Sequence, residues 1–112
     1  MPTASSVTAS ASVFHIDTFV VAADALPTFI EQVRRIQRML STVPGCQQNL
    51  VLTQAGAVRE FNVITLVEWV STEAMVAAKA VMQERYAEEG FDQPSFMQRL
   101  GVRANMGLYR EA

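Results

Sequence analysis

One cysteine and one histidine are all that the 112 residues hold of those two types. Cys46 has no second thiol to meet in its own chain, so an internal disulfide is excluded and a reducing compartment is the simpler setting. His15 and Cys46, far apart in sequence, do not assemble a metal site, and the five glycines include no phosphate-cradling loop, so neither metal nor cofactor is expected. No apolar run reaches the roughly 18–20 residues of a membrane span. Basic charge is scarce as well: the net charge of −2 and pI near 5.3 exclude the clustered basic face that nucleic acid requires. The only basic cluster, Arg34, Arg35 and Arg38, has Glu31 within one helical turn and reads as a solvated helix face. Residues 1–12 are rich in Ser, Thr and Ala but lack the basic start and apolar run of a secretory signal. They read as a disordered leader ahead of one cytoplasmic domain, 13–112.

What is abundant is apolar material. Half the residues are hydrophobic and only 18% are charged, more than one small body hides easily, so part of it should lie against a partner. The run VFHIDTFVV, from Val13 to Val21, suits a strand with Phe14, Ile16, Thr18 and Val20 on one face. Val13, His15, Asp17, Phe19 and Val21 take the other. Asp24 can cap a following helix whose stripe is Leu26, Phe29, Ile30, Val33, Ile36 and Leu40, stopped by Pro44 and Gly45. Residues 49–54 read as a second strand, Ala55, Gly56 and Ala57 as a hairpin loop, and Glu60 to Val70 as the longest strand. Ser71 or Thr72 caps the next helix, with Ala74, Ala78, Val81, Met82 and Tyr86 inward and Gly90 at its end. A helical turn from Pro94 to Leu100 precedes a last strand over 103–110. The order is β-α-β-β-α-β, an α+β ferredoxin-like fold with an antiparallel sheet and both helices on one face. Both faces of the third strand are largely apolar, so a second sheet is expected over the free one.

Three local features carry a family resemblance: Pro44-Gly45-Cys46 before the second strand, Trp69-Val70-Ser71-Thr72-Glu73-Ala74 at the end of the third, and the short helical turn before the last. On these the chain resembles, over about residues 13–110, the antibiotic biosynthesis monooxygenases. The resemblance implies a homodimer whose sheets form an α/β barrel, with a pocket between sheet and helices. It also implies, for some members, oxidation of polycyclic phenols by O2 without metal or flavin. Others degrade haem through a histidine on the helix after the tryptophan. Here that stretch reads Ala77-Ala78-Lys79-Ala80, which disfavours haem.

The resemblance places Trp69 in the pocket, where an indole stacks on a flat ligand; the plainer reading is a tryptophan closing the core. Thr65 stands where the polyphenol oxidisers carry an asparagine, keeping a donor but losing the amide. His15 is the natural general base, with Asp17 beside it, although a lone strand histidine is more often structural. Phe19, Met82 and Tyr86 are candidate ligand contacts, with Arg85 and Tyr109 as further polar groups; core packing accounts for them equally. Two functions follow as expectations. One is a cofactor-independent monooxygenase for a planar aromatic or polyketide-type substrate. The other is a non-catalytic homodimeric module binding a small apolar ligand.

Overall fold

The computed structural model describes residues 12–56 and 60–112, so the leader up to residue 11 and the loop residue Ala57 lie outside the described residues. The chain forms β1 (Val13–Val20), α1 (Leu26–Leu40), β2 (Cys46–Thr53), β3 (Val63–Trp69), α2 (Thr72–Glu89), α3 (Gln93–Leu100) and β4 (Arg103–Tyr109). The four strands make one antiparallel sheet in the order β2-β3-β1-β4. This is the expected ferredoxin-like α+β fold.

The alternation of β1 sorts the two faces. Val13, Phe19 and Val21 are buried under the helices, and opposite them on β3 so are Trp69 and Val63. Two apolar clusters result. At one end Val13, Val43, Val67 and Trp69 pack with Ala78 and Met82 of α2. At the other, Phe19, Val21, Phe29 and Val63 pack with Phe96, Met97 and Leu100 of α3. The Phe19 and Phe29 rings meet edge to face at 5.0 Å. A reciprocal pair of hydrogen bonds sets α1 on β2: Gln37 Nε2 donates to the Asn49 carbonyl and Asn49 Nδ2 to the Gln37 carbonyl, each at 2.9 Å. Arg35 of α1, read from sequence as solvated, joins Glu89 of α2 at 2.7 Å.

Several boundaries differ from expectation for local reasons. Ala25, not Asp24, is the N-cap of α1, and no side chain caps it, because residues 22–25 first close a turn (Ala25 N–H to the Ala22 carbonyl, 3.0 Å). The second strand starts at Cys46, since an irregular register between Cys46 and Gln48 lets it pair with Trp69. The third strand starts only at Val63. Ahead of it the Asn62 amide accepts from the Val21 N–H (2.9 Å) and donates to the Val21 carbonyl (2.8 Å), standing in for strand pairing. Val81 is exposed rather than inward. Ser71 caps α2 as expected, accepting from the Ala74 N–H at 3.1 Å.

The opposite sheet face carries Leu50, Leu52, Ile64, Leu66, Phe14 and Ile16 in neighbouring register, with Leu52 still 45% exposed. No element among the described residues covers it.

The turn into β2 depends on Gly45, whose φ of +91° is the left-handed region and whose added Cβ would stand 2.6 Å from the Ala74 Cβ. Gly45→Ala is expected to lower unfolding free energy by roughly 2–4 kcal/mol in urea denaturation. Gly56→Ala, whose Cβ meets nothing within 4 Å, is the control and should shift the midpoint little.

Candidate functional site

Antiparallel partners directly opposite each other share a face, so the register gives the helix-facing surface row by row. One row is Asn49, Val67, His15 and Leu108; the next is Val51, Thr65, Asp17 and Met106. His15, Asp17 and Thr65 are therefore neighbours on the surface that the helices face. Since α1 lies against β2 and α2 against β3, the β4 end of these rows is left uncovered, with Met106 48% and Leu108 58% exposed. The result is a half-open patch with an apolar border and an acid–base pair at its centre.

His15 Nε2 lies 3.1 Å from Asp17 Oδ1, with side-chain exposures of 40% and 16%. That carboxylate oxygen is shielded from solvent and, although close to the imidazole, accepts no well-aligned hydrogen bond among the described residues. The side-chain contact with Asp17, chiefly, and the charge of Asp17 hold the imidazole above its ordinary pKa, while burial and the Lys79 ammonium pull the other way. Nε2 is the ring nitrogen nearest Asp17, which leaves Nδ1 on the other side of the ring as the atom free to take a proton.

The remaining candidates take different places. Trp69 is 3% exposed within the core cluster, and its buried Nε1–H has no partner among the described residues. Met82 packs in the same cluster and Phe19 in the other. Tyr86 meets the Phe91 ring edge to face at 5.3 Å, and burial, with the Glu89 charge, pushes its phenol up against the pull of Arg35. Tyr109 lies on the opposite face of the sheet, opposite Phe14, so it cannot join His15. Cys46 is half-buried at the cluster edge, where burial raises its thiol pKa. An open hollow of about 490 Å³ at the far end of the sheet is bordered by Val20, Glu60, Phe61 and Arg103. A crevice of about 20 Å³ between α1 and α3 is walled by Phe19, Phe29, Gln32, Phe91 and Phe96. Neither includes His15. Among the described residues no helix is long and apolar enough to cross a membrane.

The sequence reading passed over Met106, Leu108 and Lys79. The signal for the first two was alternation in β4, with Ala104, Met106 and Leu108 sharing one side. For Lys79 it was its place beside inward-facing Ala78.

Solved structures similar to this chain include a candidate monooxygenase from Shewanella loihica PV-4, 23% identical over 92% of this chain and 96% of that one, with a TM-score of 0.71. SnoaB, a cofactor-independent oxygenase from Streptomyces nogalater, is 18% identical and covers 88% of this chain and 91% of its own, at a TM-score of 0.64. A dimeric ferredoxin-like protein from an uncultured marine organism is 12% identical over 90% of this chain and 95% of its own, at 0.67. At such identities the shared property is the fold, and this chain has the ferredoxin-like fold found in antibiotic biosynthesis monooxygenase structures. No protein-family model and no curated protein matches it.

The His15–Asp17 contact makes stability depend on pH in a definite direction. Because the folded pKa is raised, the contribution is fully present below about pH 6.5, the unfolded value, and is lost as pH rises through the folded value. His15→Gln should therefore depress the melting temperature more at about pH 5.5 than at about pH 8.5, by a few degrees at most given the solvent exposure of the pair. An equal depression at both would remove the ion pair from the account.

Proposed function

We propose that this chain is a homodimeric, cofactor-independent monooxygenase acting on a planar aromatic substrate of phenolic or polyketide type. The observation that carries this reading is the close His15–Asp17 pair, 3.1 Å apart on the helix-facing surface, beside the uncovered apolar side chains Met106 and Leu108. Asp17 orients the imidazole and steadies its protonated form, and Nδ1 removes the substrate's acidic proton. The electron-rich anion passes one electron to O2, the radical pair joins in a C–O bond, and loss of water from the hydroperoxide leaves a carbonyl. A ring CH2 becomes C=O while one atom of O2 enters the product and the other leaves as water. The substrate supplies all four electrons that O2 takes up, so no outside reductant is needed. Thr65, opposite Asp17, offers a hydroxyl to the substrate, while Trp69, Phe19 and Met82 form the rigid apolar backing and Tyr86 lies farther along α2.

The second subunit belongs to the same reading. The free sheet face, with Leu50, Leu52, Ile64 and Leu66 in register, is an apolar surface that a second copy would cover. Wild-type protein should sediment as a dimer at micromolar concentration, and Leu52→Glu, which puts a charge into that face, should sediment as a monomer with its helix content intact. A wild-type monomer would refute the assembly.

One observation favours the rival reading, a non-catalytic dimeric module for a small apolar ligand: Trp69 fills the core instead of opening onto a cavity. Oxygen uptake separates the two. With a phenolic substrate found by thermal shift, His15→Ala should reduce kcat by two or more orders of magnitude while changing binding little, the usual effect of removing a general base. Binding without oxygen uptake in the wild type would favour the module.

A further inference from the structure

Lys79 is the only lysine in the chain, and its surroundings are unusual for a helical cation. The neighbouring positions on the helix surface are Met75, Val76, Met82 and Gln83, none of them acidic, so no i±3 or i±4 carboxylate neutralises it. The ion pairs among the described residues join His15 with Asp17, Arg35 with Glu89 and Arg103 with Glu60, leaving Lys79 without one. Its position is set by its neighbours on α2. Ala78, 1% exposed, and Met82 pack on Val13, Val67 and Trp69, and Val13 and Val67 border His15 along and across the strands. At about 100° per residue Glu89, which meets Arg35 of α1, lies on one side of inward-facing Met82 and Lys79 on the other, so Lys79 is on the side of α2 away from α1, toward β1 and β4, where its charge opposes protonation of His15. Asp17, the acid on the facing strand, has its shielded oxygen turned to His15. An uncompensated cation thus stands beside a base and a strip of exposed Met106 and Leu108.

We infer that Lys79 holds the anionic oxygen of the substrate once His15 has taken its proton, so that the ligand is an aromatic with an acidic hydroxyl bound as its anion. This rests on the monooxygenase reading for the role of His15 and adds the substrate's charge class. It also supplies what Thr65 lacks: a hydroxyl offers one neutral donor, whereas an ammonium is a charge-assisted donor roughly twice as strong. The apolar strip suits the ring and the ammonium suits the oxygen.

Two naphthoquinones test it by binding alone. 2-Hydroxy-1,4-naphthoquinone is an anion at neutral pH, whereas its 2-methoxy ether cannot ionise. The wild type should bind the hydroxy compound more tightly. Lys79→Met should weaken that binding about tenfold, the scale of one charge-assisted contact, and leave the ether within about twofold. Lys79→Arg should restore most of the loss. Lys79 is exposed, so both variants should keep the wild-type melting temperature. An equal change for both compounds, or none, overturns the inference while leaving an aromatic-binding site in place. Failure of the wild type to bind either compound overturns that reading and this inference with it. Oxygen uptake is scored separately, so binding without turnover sinks catalysis but not the anion site.

Discussion

Seven cross-strand pairs between β1 and β3, running from Val13 with Trp69 to Phe19 with Val63, decide what every other part of the molecule meets. Because side chains alternate strictly along a strand, this register sends Val13, His15, Asp17 and Phe19 toward the helices and Phe14, Ile16 and Thr18 away from them. A slip of one residue would put His15 and Asp17 on the free face and bring Phe14 and Ile16 under α2. The two clusters that close the core, one around Trp69 and one around Val63, would both come apart. The register is held at its far end by Asn62, whose amide brackets both polar groups of Val21 after regular pairing has stopped.

With the register set, the helices determine which polar groups stay accessible. The Gln37–Asn49 brace holds α1 at the β2 edge, and Arg35 reaches Glu89 to draw α2 alongside. Coverage is therefore concentrated over β2 and β3, while α3 closes the Phe19 end. The patch around His15 is what this arrangement leaves uncovered, an opening toward β4 and not a cavity carved into a finished core. That geometry explains why apolar side chains border it: Met106 and Leu108 occupy positions that a more centred α2 would have buried.

Electrostatics inside the patch are balanced. Asp17 stabilises the imidazolium, and burial together with Lys79 destabilises it, with Asp17 prevailing. No single influence acts alone on the ring, and Asp17 is the one that both raises its pKa and lies against it. Trp69 contributes in another way. Its indole occupies the point where β3 hands over to α2, and its buried N–H has no partner among the described residues, a cost set against filling a large volume.

Much of this was legible in the sequence because it is local. Alternation in Val13–Val21 stated which side chains share a face, and the Trp69-Val70-Ser71 stretch marked a strand ending at a capped helix. Cys46 in β2, Asn62 outside β3 and the uncapped start of α1 were hidden, because each depends on a partner distant in the chain or on a turn that periodicity does not encode. The candidate site divides along the same line. That His15, Asp17 and Thr65 would lie together followed from a period of two and an antiparallel pairing. That Trp69, Met82 and Phe19 would be closed into the core while Met106, Leu108 and Lys79 border the opening was decided only by the lateral position of the helices on the sheet. A strand's own sequence records the side on which each residue falls, but whether that side is covered depends on packing among segments tens of residues apart.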